Sequence, residues 1–67
     1  MIKVYKREND VITVNITSKY KEVTVASNSG SQLYSAPRDE NAYGSMGAYI
    51  DSWLRVVESL QPVVVMG

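Results

Sequence analysis

The sequence predicts an α+β fold, a small antiparallel sheet ordered β-β-β-loop-α-β with one amphipathic helix packed on one face. Three observations carry this reading. Residues 11–17, VITVNIT, alternate β-branched apolar with polar side chains, and shorter runs on either side do the same. Residues 46–60 repeat their apolar side chains at helical spacing instead. After Pro62 the chain returns to an extended pattern, VVVM.

Taken in order, residues 2–7 (IKVYKR) place Ile2, Val4 and Lys6 on one face and Lys3, Tyr5 and Arg7 on the other. Glu8–Asp10 form a turn, because Asn and Asp tolerate turn backbone. In the second strand, residues 11–17, Ile12, Val14 and Ile16 oppose Val11, Thr13, Asn15 and Thr17. SKYK makes the next turn, and residues 22–26 the third strand, with Val23 and Val25 opposite Glu22, Thr24 and Ala26. Short connections between such strands indicate an antiparallel meander with one core face. In the helix, about 46–60, Met46, Tyr49, Ile50, Trp53, Leu54, Val56, Val57 and Leu60 span an arc of roughly 160°. Asp51, Arg55 and Glu58 lie opposite at spacings suited to ion pairs, and Ser45 supplies an N-cap hydroxyl. Pro62 stops the helix. The continuously apolar strand 63–66 is expected to be buried on both faces, centrally in the sheet or in a subunit interface.

A chain of 67 residues is read as a single domain, 1–67, near the lower limit for a self-supporting core. Such scaffolds usually add disulfides, a metal or a partner subunit. With no cysteine and no histidine, disulfides, thiolate zinc sites and the usual neutral-pH general base are excluded. Tyr5, Val11, Tyr20 and the last strand exceed what one helix can cover, so a homo-oligomer is expected, through that strand or the outer sheet face. Scattered apolar side chains on a surface are also ordinary. Seven basic residues balance seven acidic ones, an argument against a duplex-DNA binder. The first 26 residues carry an excess of +2 (five cations, three anions) and the rest −2 (two cations, four anions), too little to name a partner. MIKVYKREND lacks the apolar core of a signal peptide, and no run approaches a membrane span, so a cytoplasmic protein without a membrane partner is expected.

No Ser/His or Cys/His pair and no phosphate-binding glycine loop is present, so neither an enzyme nor a cofactor is expected. Adjacent Asp39 and Glu40 read as a solvated turn rather than a magnesium site. Function is therefore placed in residues 27–45, SNSGSQLYSAPRDENAYGS, read as a long loop, since connections of this length are usually functional or disordered. Ser27, Asn28, Ser29 and Ser31 surround Gly30 with hydroxyls, an amide and backbone N–H groups that could cradle an anion. Leu33 and Tyr34 could form a short extra strand or anchor the loop. Arg38 can bind phosphate bidentately, and Tyr34 and Tyr43 can stack on a base. Tyr49 and Trp53 are assigned to the core, and Lys19–Tyr20–Lys21 to an exposed basic turn.

Two functions follow. The first is a non-enzymatic oligomeric protein that holds or sequesters an anionic, nucleotide-like small molecule through this loop at a subunit interface. The alternative is a protein-interaction module or small inhibitor, of the size phages encode, docking on a larger protein through the same loop or a sheet edge.

Overall fold

A computed structural model describes residues 1–39 and 45–67, and the main chain alone at Ser45. The expected class is observed: a five-stranded antiparallel sheet with one helix packed on it, in chain order β-β-β-β-α-β. The strands are β1 (Ile2–Arg7), β2 (Asp10–Ile16), β3 (Tyr20–Ser27), β4 (Gly30–Pro37) and β5 (Pro62–Met66), and α1 is Ser45–Val57. The sheet order is β4-β3-β2-β1-β5. Four consecutive strands thus form a meander of hairpins, and the last strand returns to pair with the first.

The largest correction falls on the loop 27–45. Its first half is β4, paired with β3 from Ser27↔Gly30 to Tyr20↔Pro37. Serine, glycine and glutamine are poor strand formers in isolation, but a tight turn at Asn28–Ser29 delivers them to an existing edge. Gly30 adopts φ 128°, open to glycine and strained for other residues. Pro37 is tolerated because it ends an edge strand.

Register sorts the two faces. Lys3, Tyr5, Ile12, Val14, Ile16, Lys21, Val23, Val25, Gln32, Tyr34 and Ala36 fall on the helix side. Ile12, Val23 and Ile50 are 0% exposed at the centre of the core, with Tyr5, Val14, Ala36 and Val57 around them. Tyr5, expected to remain partly exposed, is therefore buried: β1 turns its Lys3–Tyr5–Arg7 face inward, opposite Ile12. Val11 and Tyr20 are each 38% exposed, as expected of the uncovered face. That face carries a row Val64, Val4, Thr13, Thr24, Leu33 across all five strands. Beside it, Asn15 Nδ2 donates to Glu22 Oε1 at 3.1 Å.

Lys21 corrects a second expectation, that of a polar, exposed turn. It lies inside β3 and is buried, with Nζ 2.8 Å from Asp51 Oδ1 on α1. Its methylenes cover apolar surface while the ammonium reaches the rim. Asp51 thus bonds a residue of the sheet, where the helix pattern alone suggested Arg55.

The helix begins at Ser45 and ends at Val57, three residues before the expected end; Leu60 N then donates to Val57 O at 2.9 Å in a closing turn. Thirteen residues span roughly 20 Å, and α1 lies mainly over β4 and β3. Towards β1 it leaves an apolar groove of about 220 Å³, lined by Met1, Lys3, Tyr5, Val14, Ile16, Leu54, Val57 and Glu58. Of the two placements expected for strand 63–66, centrally in the sheet or in a subunit interface, the central one is overturned: β5 is an edge strand paired with β1, and Val63, Val64, Val65 and Met66 are exposed. No helix among the described residues is long and apolar enough to cross a membrane.

Candidate functional site

The most built surface lies where the β3–β4 hairpin meets the middle of α1. Ser27 Oγ is 3.0 Å from Ser29 Oγ and donates to Gly30 O at 3.4 Å, while Ser29 N–H donates back to Ser27 Oγ at 3.4 Å. These bonds stiffen the turn. They also use the Ser29 N–H within the hairpin, so it is not directed at an anion.

From that turn β4 sends Gln32 and Tyr34 to the helix side, and α1 brings Tyr49 and Trp53 one turn apart to meet them. The Tyr34 and Tyr49 rings pack edge to face, centroids 4.7 Å apart and planes at 61°. The Tyr34 hydroxyl donates to Gln32 Oε1. Arg7 places its guanidinium 5.4 Å from the centre of the Trp53 ring and 3.8 Å from Asp10 Oδ2. Together Asp10, Val25, Ser27, Ser29, Gly30, Ser31, Gln32, Tyr34, Tyr49 and Trp53 line a cleft of about 420 Å³.

The expected site residues are divided by this geometry. Ser27, Ser29, Ser31 and Tyr34 line the cleft, whereas Asn28 is exposed at the tip of the turn and does not. Arg38 follows β4 at its opposite end, roughly 23 Å along the strand from Gly30. There its N–H donates to Lys19 O at 3.1 Å and its Nη1 to Thr17 O at 3.5 Å, fastening the β2–β3 turn. Arg38 and the serine hairpin therefore do not converge. Tyr43 and Glu40 lie outside the described residues.

Sequence reasoning missed Gln32, Asp10, Tyr49 and Trp53 as cleft residues. Tyr49 and Trp53 do sit on the apolar stripe, but at its border, where Tyr49 is 42% exposed and Trp53 half-buried. The available signal was their i,i+4 spacing, which sets two large rings side by side. Asp10 and Gln32 carried no signal, because only strand register brings them here.

Among the described residues that line the cleft, Asp10 is the one carboxylate and none is a cation. Its phenols are driven apart. Hydrogen bonding with Tyr49 and then desolvation push the Tyr34 phenol above its ordinary range. The Trp53 indole first, and Tyr34 second, hold the Tyr49 phenol below its own by hydrogen bonding. An alkaline absorbance titration is expected to show Tyr49 ionising ahead of Tyr34, with Tyr49→Phe deleting the early component. The stability consequences have opposite signs. Tyr49, its folded value depressed, adds stability above its unfolded pKa, whereas Tyr34 loses its contribution as pH rises through its raised one. If Tyr49→Phe leaves the early component intact, the hydrogen-bond order is wrong.

Comparison with protein-family models, with curated proteins and with solved structures returns no match for this chain.

Proposed function

We propose that this chain is a non-enzymatic binding protein that holds a flat, hydroxyl-bearing small molecule of nucleoside-like shape in the cleft between the β3–β4 hairpin and α1. The observation that supports it is the convergence of three aromatic side chains, Tyr34, Tyr49 and Trp53, with the serine turn and Gln32 around one space of about 420 Å³. Small-molecule sites are typically concave, about 300–1,000 Å³, with aromatic walls and a few polar groups. Stacking on such rings contributes about 1–3 kcal/mol per base, whatever the base. The non-catalytic reading is supported by Asp10 facing Arg7 rather than a nucleophile.

The ligand's charge is narrowed relative to the sequence reading. A phosphate would meet Asp10 and would need Arg7 to leave its carboxylate and its ring, since Arg38 is at the other end of β4. A neutral nucleoside is therefore favoured over its phosphates. Trp53 is the sole tryptophan, so its fluorescence reports on the cleft directly. Titration with purine and pyrimidine nucleosides is expected to give a saturable change, weakened about tenfold by Tyr49→Ala and untouched by Arg38→Ala. Absence of any saturable change up to millimolar nucleoside would remove the proposal. Monophosphates binding tenfold tighter than nucleosides would restore the anionic ligand. A second reading, docking on a larger protein through a sheet edge, is favoured by the exposure of β5. It would show as a stoichiometric protein partner that survives nuclease treatment.

A further inference from the structure

An edge strand offers a row of unpaired N–H and C=O groups, and proteins usually blunt it with charge, mid-strand proline or a covering element. The two edges of this sheet differ. β4 is polar, ends in Pro37 and has α1 packed on its inner face. β5, PVVVM, holds no charge, and its proline is confined to the first position. Val63, Val64, Val65 and Met66 are 62%, 42%, 57% and 50% exposed, so side chains on both faces of the strand meet solvent. Its pairing with β1 occupies one side, and no other strand among the described residues pairs along the other.

We infer that β5 pairs antiparallel with β5 of a second copy of this chain, joining two sheets into one of ten strands. The occupant is a second copy because the strand is its own complement. A two-fold axis through Val64 sets Val64 against Val64, Val63 against Val65 and Pro62 against Met66. With no charge between Pro62 and Met66, that superposition opposes no like charges. The surface is small, at the low end of specific interfaces, below about 1,200 Å² in total, and a dissociation constant in the micromolar range is expected.

The cleft lies four strands away at the β4 side, roughly 19 Å across the sheet. Pairing and ligand binding are therefore independent, and either can fail without the other.

The chain has no cysteine, so a single one can be introduced cleanly. In Val64→Cys the two thiols meet at the axis, where opposed residues lie about 4.5–5.5 Å apart between Cα atoms, within disulfide reach. Mild oxidation at tens of micromolar is expected to convert Val64→Cys to a covalent dimer, while Leu33→Cys, on β4 and more exposed than Val64, stays monomeric. Sedimentation of the unmodified chain is expected to show a concentration-dependent dimer. Val64→Lys should abolish it, with far-UV circular dichroism and the Trp53 titration unchanged. A monomer at 100 µM with Val64→Cys cross-linking no faster than Leu33→Cys would overturn the inference. Faster cross-linking through Leu33→Cys, or a dimer that survives Val64→Lys, would do so equally by moving the interface elsewhere.

Discussion

Replacing Ile50 by alanine is expected to cost about 2–5 kcal/mol and to leave much of the population unfolded at 25 °C. Ile50 is 0% exposed where α1 meets Ile12 and Val23, both also fully buried. At about 0.05–0.15 kcal/mol per residue, 67 residues provide roughly 3–10 kcal/mol in total, so one deleted side chain can consume most of it. The loss has two parts, the apolar surface returned to water and the cavity that a stiff sheet cannot close. Urea unfolding followed by circular dichroism measures it. Ile50→Val should lose about 0.5–1.5 kcal/mol, and Arg55→Ala, exposed on the opposite side of the helix, should stay within about 0.5 kcal/mol. An Ile50→Ala protein as stable as Arg55→Ala would mean that α1 does not form the core described.

The second large effect is asymmetric. Asp51→Ala removes the carboxylate 2.8 Å from Lys21 Nζ and leaves an ammonium whose side chain is only 7% exposed. Breaking a fully buried pair in this way costs about 3–5 kcal/mol. Lys21 makes a further interaction besides this pair, and the Asp51 side chain is 41% exposed, so that water can partly replace it; about 1–2 kcal/mol is expected. Lys21→Met keeps the length of the apolar stem while removing the charge. Exchanging a buried charge for a well-packed apolar group is often neutral or stabilising. Lys21→Met is therefore expected to lie near wild type, and Asp51→Ala to become nearly silent in its background. The four proteins form a double-mutant cycle with a coupling of about 1–2 kcal/mol. Additive losses would show that Asp51 acts on the helix rather than through Lys21.

Strands β1, β2 and β3 and the helix were legible because each buries a face, and burial imprints its period on the chain: two along Ile12, Val14 and Ile16, close to 3.6 from Met46 to Val57. β4 was foreseen only as a short extra strand at Leu33 and Tyr34, because its inward residues, Gln32, Tyr34 and Ala36, form no apolar alternation with their neighbours Ser31, Leu33 and Ser35. An edge strand is recruited by the hydrogen-bonding groups of its neighbour, which any side chain provides. The central one of the two placements expected for β5 fails for the converse reason. An all-apolar run looks like a central strand, and only the pairing order shows it at an edge.

The sequence by itself determined the α+β class, the alternating core positions of β2 and β3, and the apolar stripe of α1. Those properties reside in neighbouring residues and their periods. The tertiary structure alone decided that Arg38 stands a strand's length from Ser27, that Tyr49, Trp53, Gln32 and Asp10 share a cleft with the serines, and that Lys21 is buried against Asp51. Each joins residues distant in the chain, or separates near ones, through register and helix placement. Such distances are set by hydrogen-bond pairing and packing across the whole sheet, and no local pattern encodes them.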